Sequence, residues 1–146
     1  PGDNPLATGA DIGMNWNSWK GAPYVYNASI HPTHWVAVTA MQWLQDYIDS
    51  EQDNPFFLKI SFHRPHSPYD PPQKYIDYVL NNFDLDRALN ITHGNGWDSV
   101  YAVNDEYCGP SNSDAWCGWM NETITNMSRV SYYANVVYID EMVGEI

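Results

Sequence analysis

With 146 residues, 44% of them hydrophobic and 15% aromatic, the chain has the size and composition of about one globular domain with a packed core. Eighteen Asp and Glu against six Lys and Arg give a net charge of −12, which argues against nucleic acid or an anionic membrane as partner. No apolar run approaches the roughly 18 residues needed to cross a bilayer, and no signal peptide stands at the start. The first residue is Pro1, from which processing or excision of a preceding segment is expected.

Residues 1–32, rich in Gly, Pro, Asn and Trp, show no sustained period and read as irregular chain laid over a larger body. Trp16, Trp19, Tyr24 and Tyr26 are expected to pack it down, with stacking on a sugar as the alternative. From Thr33, a plausible N-cap, apolar residues Trp35, Val36, Val38, Met41, Leu44, Tyr47 and Ile48 recur at helical spacing and predict an amphipathic helix of about four turns. His31 and His34 flank its start, where surface or capping roles outweigh ligation.

Residues 56–62 (FFLKISF) are β-formers with little polar alternation, as in a central strand covered on both faces. They open into a loop carrying His63, Arg64 and His66 among the prolines Pro65, Pro68, Pro71 and Pro72. Residues 73–79 predict a short helix, with prolines just ahead of it. Residues 81–128 form a long polar segment, read as a disulfide-pinned, glycosylated surface insertion; the weak strand candidate 99–103 lies within it. Residues 129–146 predict a second helix, hydrophobic nearly all round and so buried in something large. A lone central strand and an uncapped buried helix make the chain read as the middle piece of a larger α/β domain.

Four glycosylation sequons, at Asn27, Asn90, Asn121 and Asn126, favour a secreted or lumenal glycoprotein. Cys108 and Cys117 lie in the same polar segment and could close a disulfide in that oxidising compartment. The plainer reading of each sequon is an unoccupied surface asparagine.

The chemistry is expected at HRPHSP. Two imidazoles and a guanidinium at the end of a strand, in a proline-stiffened loop, could bind an anionic oxygen and deliver a proton near neutral pH. Such a site suits sulfate or phosphate esters; the plainer reading is a rigid loop whose histidines bond backbone carbonyls.

The stretch NPFFLKISFHRPHSPYDPPQKY resembles the PFFLxxxxHxPHxPxxPxxY segment of the type I sulfatases, the arylsulfatase and iduronate-sulfatase group with an alkaline-phosphatase-like fold. YYANVVYIDEMVG near the C-terminus resembles the same family's YYAxVxxxDxxVG helix, and the helix before PFFL agrees as well. The resemblance implies an α/β fold, a mixed sheet flanked by helices and incomplete in this chain, and places residues 1–146 within one catalytic domain. It implies that His66 contacts the sulfate group and helps stabilise the departing oxygen. It transfers no established catalytic role to His63 or Arg64, which remain candidate substrate-binding residues. Asp140 matches a helix residue read as structural.

The family's formylglycine nucleophile arises from a Cys-x-Pro-Ser-Arg motif upstream of this region. The segment CGPSN at Cys108 imitates it, but Asn112 replaces the arginine and the segment follows the histidine loop, so Cys108 is read as the partner of Cys117. Calcium is likewise implied for the whole enzyme, with ligands outside this chain; Asp98, Asp105, Glu106 and Asp114 reproduce no calcium-loop spacing. The expected function is hydrolysis of sulfate esters, on carbohydrate or another sulfated substrate, completed by the remainder of the catalytic domain. Two alternatives stand beside it: a catalytically inactive sulfatase-like glycoprotein with a structural or carbohydrate-binding role, for which Trp97, Trp116 and Trp119 are suited, and a phosphodiesterase or phosphonate hydrolase of the same superfamily.

Overall fold

Three helices meet around one apolar seam, and a looped strap crosses one end of it. The computed structural model describes residues 20–51, 53–90 and 122–146. Helix α1 spans Pro32–Asp49, α2 Gln73–Asn82, the short α3 Leu85–Asn90, and α4 Glu122–Glu145. A 3₁₀ turn at Ala28–Ile30 leads into α1.

Local chemistry sets the ends of α1. His31, rather than Thr33, is the N-cap: its side chain accepts from the Thr33 N–H, and Pro32 occupies the first turn, where its missing donor costs nothing. Past Ser50, Glu51 turns into the left-handed region with φ 53°, a common way to end a helix.

The core joins Ala37 of α1, Tyr75, Ile76 and Val79 of α2, and Val130, Ala134, Tyr138 and Met142 of α4. Tyr75 stacks on Tyr138 with ring centroids 4.4 Å apart. The face that α1 turns inward is Thr33, Ala37 and Ala40, all small, which lets the helices approach closely; the large residues Trp35, Val38 and Ile48 face outward. Of the residues expected on the buried face, Met41 packs against the core and Val36, Leu44 and Tyr47 are half-buried, while Trp35, Val38 and Ile48 are left open.

Helix α4 begins at Glu122 instead of residue 129 and is not covered all round. Val130, Ala134, Tyr138 and Met142 are buried, whereas Tyr132, Val136 and Val143 are exposed. Helix α3 was not expected. It occupies the start of the segment read as a surface insertion, and Arg129 Nη1 and the Tyr133 hydroxyl of α4 bind it by donating to the carbonyls of Leu89 and Ala88. Asn126, expected in that insertion, lies within α4.

The expected central strand forms neither helix nor strand and has no ladder partner among the described residues, and the mixed sheet is not seen among them. A strand is made by its neighbours: without them Phe57 is 90% exposed and Phe56 is covered in part by Trp43 and Tyr47 of α1, while Phe62 at the end of the run packs against the core. Backbone pairing appears instead within the loop that follows, as a parallel bridge between Gly21 and Tyr69. The Ala22 and Tyr24 N–H groups donate to the Tyr69 and Pro71 carbonyls at 3.0 and 2.9 Å. Glycine is required there, because a Cβ on Gly21 would lie 2.5 Å from Ser131 Oγ and 2.7 Å from the Met127 carbonyl of α4.

Tyr24 is buried and Tyr26 exposed, so only the first anchors the N-terminal stretch as expected. Trp16, Trp19, Cys108, Cys117, Asn121, the tryptophans 97, 116 and 119, the acidic residues Asp98, Asp105, Glu106 and Asp114, and residues 99–103 lie outside the described residues.

Candidate functional site

The histidine loop has two sides. Its inner side is packed: Arg64, Ser67, Pro68, Asp70 and Pro71 are buried, while His63 and His66 sit on the exposed side. The peptide bonds before Pro65 and Pro68 are both cis.

Beneath the loop lies an ion pair out of reach of water. Arg64 Nε donates to Asp70 Oδ1 at 2.7 Å and Nη2 to Oδ2 at 2.9 Å, a bidentate fork between side chains that are 1% and 0% exposed. His31, at the start of α1, joins the pair. Its Nδ1 accepts the Thr33 N–H at 3.1 Å, so in the neutral ring the proton rests on Nε2, which donates to the Asp70 carbonyl at 3.2 Å; the Asp70 carboxylate is 3.7 Å away. The ring is wedged edge-on against Tyr24 and beside Tyr138.

Charge follows from this arrangement. Arg64 and Asp70 neutralise one another, and a proton on His31 Nδ1 would both break the helix cap and add a second cation. Burial pulls the His31 pKa below its ordinary value, and Arg64 adds to the effect, against the opposing pull of Asp70.

On the outer side, the His66 N–H donates to the His63 carbonyl at 3.2 Å, closing a turn. The His66 Nδ1–H donates to the Ser67 carbonyl at 2.9 Å, with Ser67 Oγ 3.4 Å from the same nitrogen. A carbonyl can only accept, so the neutral His66 ring carries its proton on Nδ1 and turns the lone pair of Nε2 outward. The His63 and His66 rings lie 4.9 Å apart at 40°. Desolvation, then Arg64, then His66 pull the His63 pKa down, so His63 favours its neutral form.

The structure thus brings together His63, Arg64 and His66, but assigns them to opposite sides of one loop. Arg64 spends its fork on Asp70, whereas the imidazoles face outward. Two residues of this arrangement, His31 and Asp70, were not recognised in the sequence as members of the site. In the sequence His31 stands out only for its place at the helix start, and a separation of 39 positions from Asp70 leaves no local signal.

Among the described residues no group of three or more His, Cys, Asp and Glu side chains could hold a metal ion. Asp70 is the buried carboxylate among them and both its oxygens are taken by Arg64, so this donor set does not fit calcium. Asn27 is exposed, its side chain accepting from the Ser29 N–H at 3.0 Å.

No family model matches the chain. It is 34% identical over 134 residues to an arylsulfatase of Clostridium perfringens (strain 13 / Type A), an alignment covering 92% of this chain and 26% of that protein. It is 28% identical over 100 residues to the iduronate 2-sulfatase of Mus musculus, covering 64% of this chain and 18% of that protein. The chain spans about a quarter or less of the length of these curated relatives.

Proposed function

From the premise that this chain is a sulfatase-like segment, we propose that it forms one wall of the active site of a sulfuric ester hydrolase, with His66 as its catalytic residue. The observation that carries the reading is the outward Nε2 of His66, on a ring whose other nitrogen is held by the Ser67 carbonyl. Such a group bonds an ester oxygen in either protonation state: protonated it donates to the departing oxygen as the S–O bond breaks, and neutral it accepts from a hydroxyl. His63, 4.9 Å away in ring separation, is proposed to bind the substrate beside it. Arg64 is proposed to support the loop rather than to touch substrate, since its fork is already engaged.

The formylglycine nucleophile and the calcium implied by the resemblance are proposed to come from chain outside this segment, and no step is assigned to them here. The outward apolar residues Trp35, Val38, Ile48 and Phe57 support the same view, because the remainder of a larger domain would cover them. A secreted or lumenal glycoprotein remains the proposed setting, with Asn27 a sequon on exposed chain; no helix among the described residues is long and apolar enough to cross a membrane.

The test is His66→Ala in the full-length protein, assayed on an aryl sulfate and on the matching phosphate ester. A loss of about 10²–10⁴ in sulfate ester turnover is expected. Unchanged turnover would remove His66 from the mechanism, and a preference for the phosphate ester would favour the phosphodiesterase reading.

A further inference from the structure

The loop that presents His66 is closed from below by a bond network that the proposed chemistry does not itself use. Arg64 precedes His66 by two residues and Asp70 follows it by four, and their buried fork ties the two feet of the loop together. Asp70 is in turn fastened to the cap of α1 through His31 Nε2, and the neighbouring Tyr69 and Pro71 carbonyls are held by Ala22 and Tyr24. Between those feet Ser67 is 4% exposed, and its carbonyl is the acceptor that orients the His66 ring. A shift of Ser67 would therefore turn the ring.

We infer that Asp70 and His31 are positioning residues: with Arg64 they form a buried strut that holds the Ser67 carbonyl against His66 Nδ1 and so fixes the tautomer and direction of the outward Nε2. Two features single this out from ordinary loop packing. The network runs through charged and imidazole groups at a site where burying an ion pair is costly unless every partner is in place. Both histidines are also set in opposite tautomers by backbone partners, His31 with its proton on Nε2 and His66 with its proton on Nδ1. Free imidazole has no such constraint, so the His66 tautomer reports whether the strut holds.

The inference rests on the proposed role of His66 for its consequence in catalysis, but its structural content can be read without activity. The experiment uses the full-length protein with Asp70→Asn, which keeps shape and removes the charge, and His31→Asn, which keeps a favoured helix cap and severs the bond to Asp70. Lys74→Met, which breaks the exposed Lys74–Glu141 pair at 2.9 Å, is the control. Imidazole ¹⁵N shifts of His66 and turnover of an aryl sulfate are measured on each folded protein.

The expected result is a mixed His66 tautomer in both Asn variants and the unsubstituted tautomer in the control, with kcat lower by about 10²-fold, as a displacement of about an ångström can produce. KM should change far less than kcat, because the ground-state contacts remain. If Asp70→Asn fails to fold, His31→Asn decides alone. A folded variant that melts earlier but retains the His66 tautomer and kcat would show a merely structural role and overturn the inference. If the full-length protein hydrolyses no sulfate ester, the proposed activity falls, and the tautomer still decides the positioning.

Discussion

Residues 54–62 and 63–72 are consecutive in one stretch, yet they solve the problem of burial in opposite ways. The loop satisfies itself inside this chain: its charged feet pair, its carbonyls accept from residues 22 and 24, and its prolines 68 and 71 are fully buried. The apolar run before it finds no ladder among the described residues; Phe62 at its end reaches the core, and Phe57 stands 90% exposed. An ion pair needs one partner at one point, whereas a strand needs a neighbour along its whole length. The loop can therefore be built by a piece of a domain, and the sheet cannot.

The contrast is broken most forcefully at Asp70. Replacing it by alanine leaves the Arg64 guanidinium buried without a counter-charge, and a loss of about 3–5 kcal/mol is expected in denaturant unfolding. A loss below about 1 kcal/mol would mean that the loop is held by its prolines and backbone bonds, not by charge.

Gly21→Ala tests the other side of the same anchor. Its new Cβ would meet Ser131 and the Met127 carbonyl of α4, and overpacking of that kind costs about 1–3 kcal/mol. Thermal unfolding of the two proteins measures it.

Acidification should also act on the loop. The His31 pKa is lowered in the folded protein, first by burial, so below the ordinary histidine value of about 6.5 the unfolded chain takes up a proton that the folded one refuses. The stability that depends on neutral His31 is present above that pH and is lost as pH falls below it, and His63, lowered in the same direction, adds to the trend. Unfolding free energy followed from pH 8 to pH 5 should decline, and His31→Asn should flatten the decline; an unchanged slope in that variant would refute the assignment.

The smallest effect is expected where the comparison predicts none. Phe57→Ser should change the stability of this chain by less than about 0.5 kcal/mol, as for an exposed side chain without partners. A loss of several kcal/mol would show that the run is covered within the chain after all.

Helical periodicity made α1 and the C-terminal part of α4 legible, because each carries apolar residues at three- and four-residue spacing, while α2 was marked by the prolines just ahead of it. It did not show which side of α1 the chain buries. Pattern marks Trp35, Val38 and Ile48 along with Met41, and of these only Met41 packs on the core, while the closest approach uses Ala37 and Ala40, which the pattern passes over. Helix α3 escaped because six residues are too few for a period to emerge from a polar sequence. The histidines of the loop stand out in the sequence as candidates for chemistry from their residue types and prolines. The opposite sides taken by Arg64 and His66 were not, since adjacent positions in a turn carry no fixed alternation.

By itself, then, the sequence determined α1, α2 and the C-terminal part of α4, the stiff histidine loop and the sulfatase-like motif, all of which depend on residues close together in the chain. Only the tertiary structure decided that Arg64 faces inward to Asp70, that His31 serves as both helix cap and tie to the loop, and that residues 56–62 find no ladder partner among the described residues. The physical reason is one of range. Periodicity and turn chemistry are local, whereas an ion pair, a ring wedged among Tyr24 and Tyr138, or a strand in a ladder exists only once distant segments have been brought within a few ångströms.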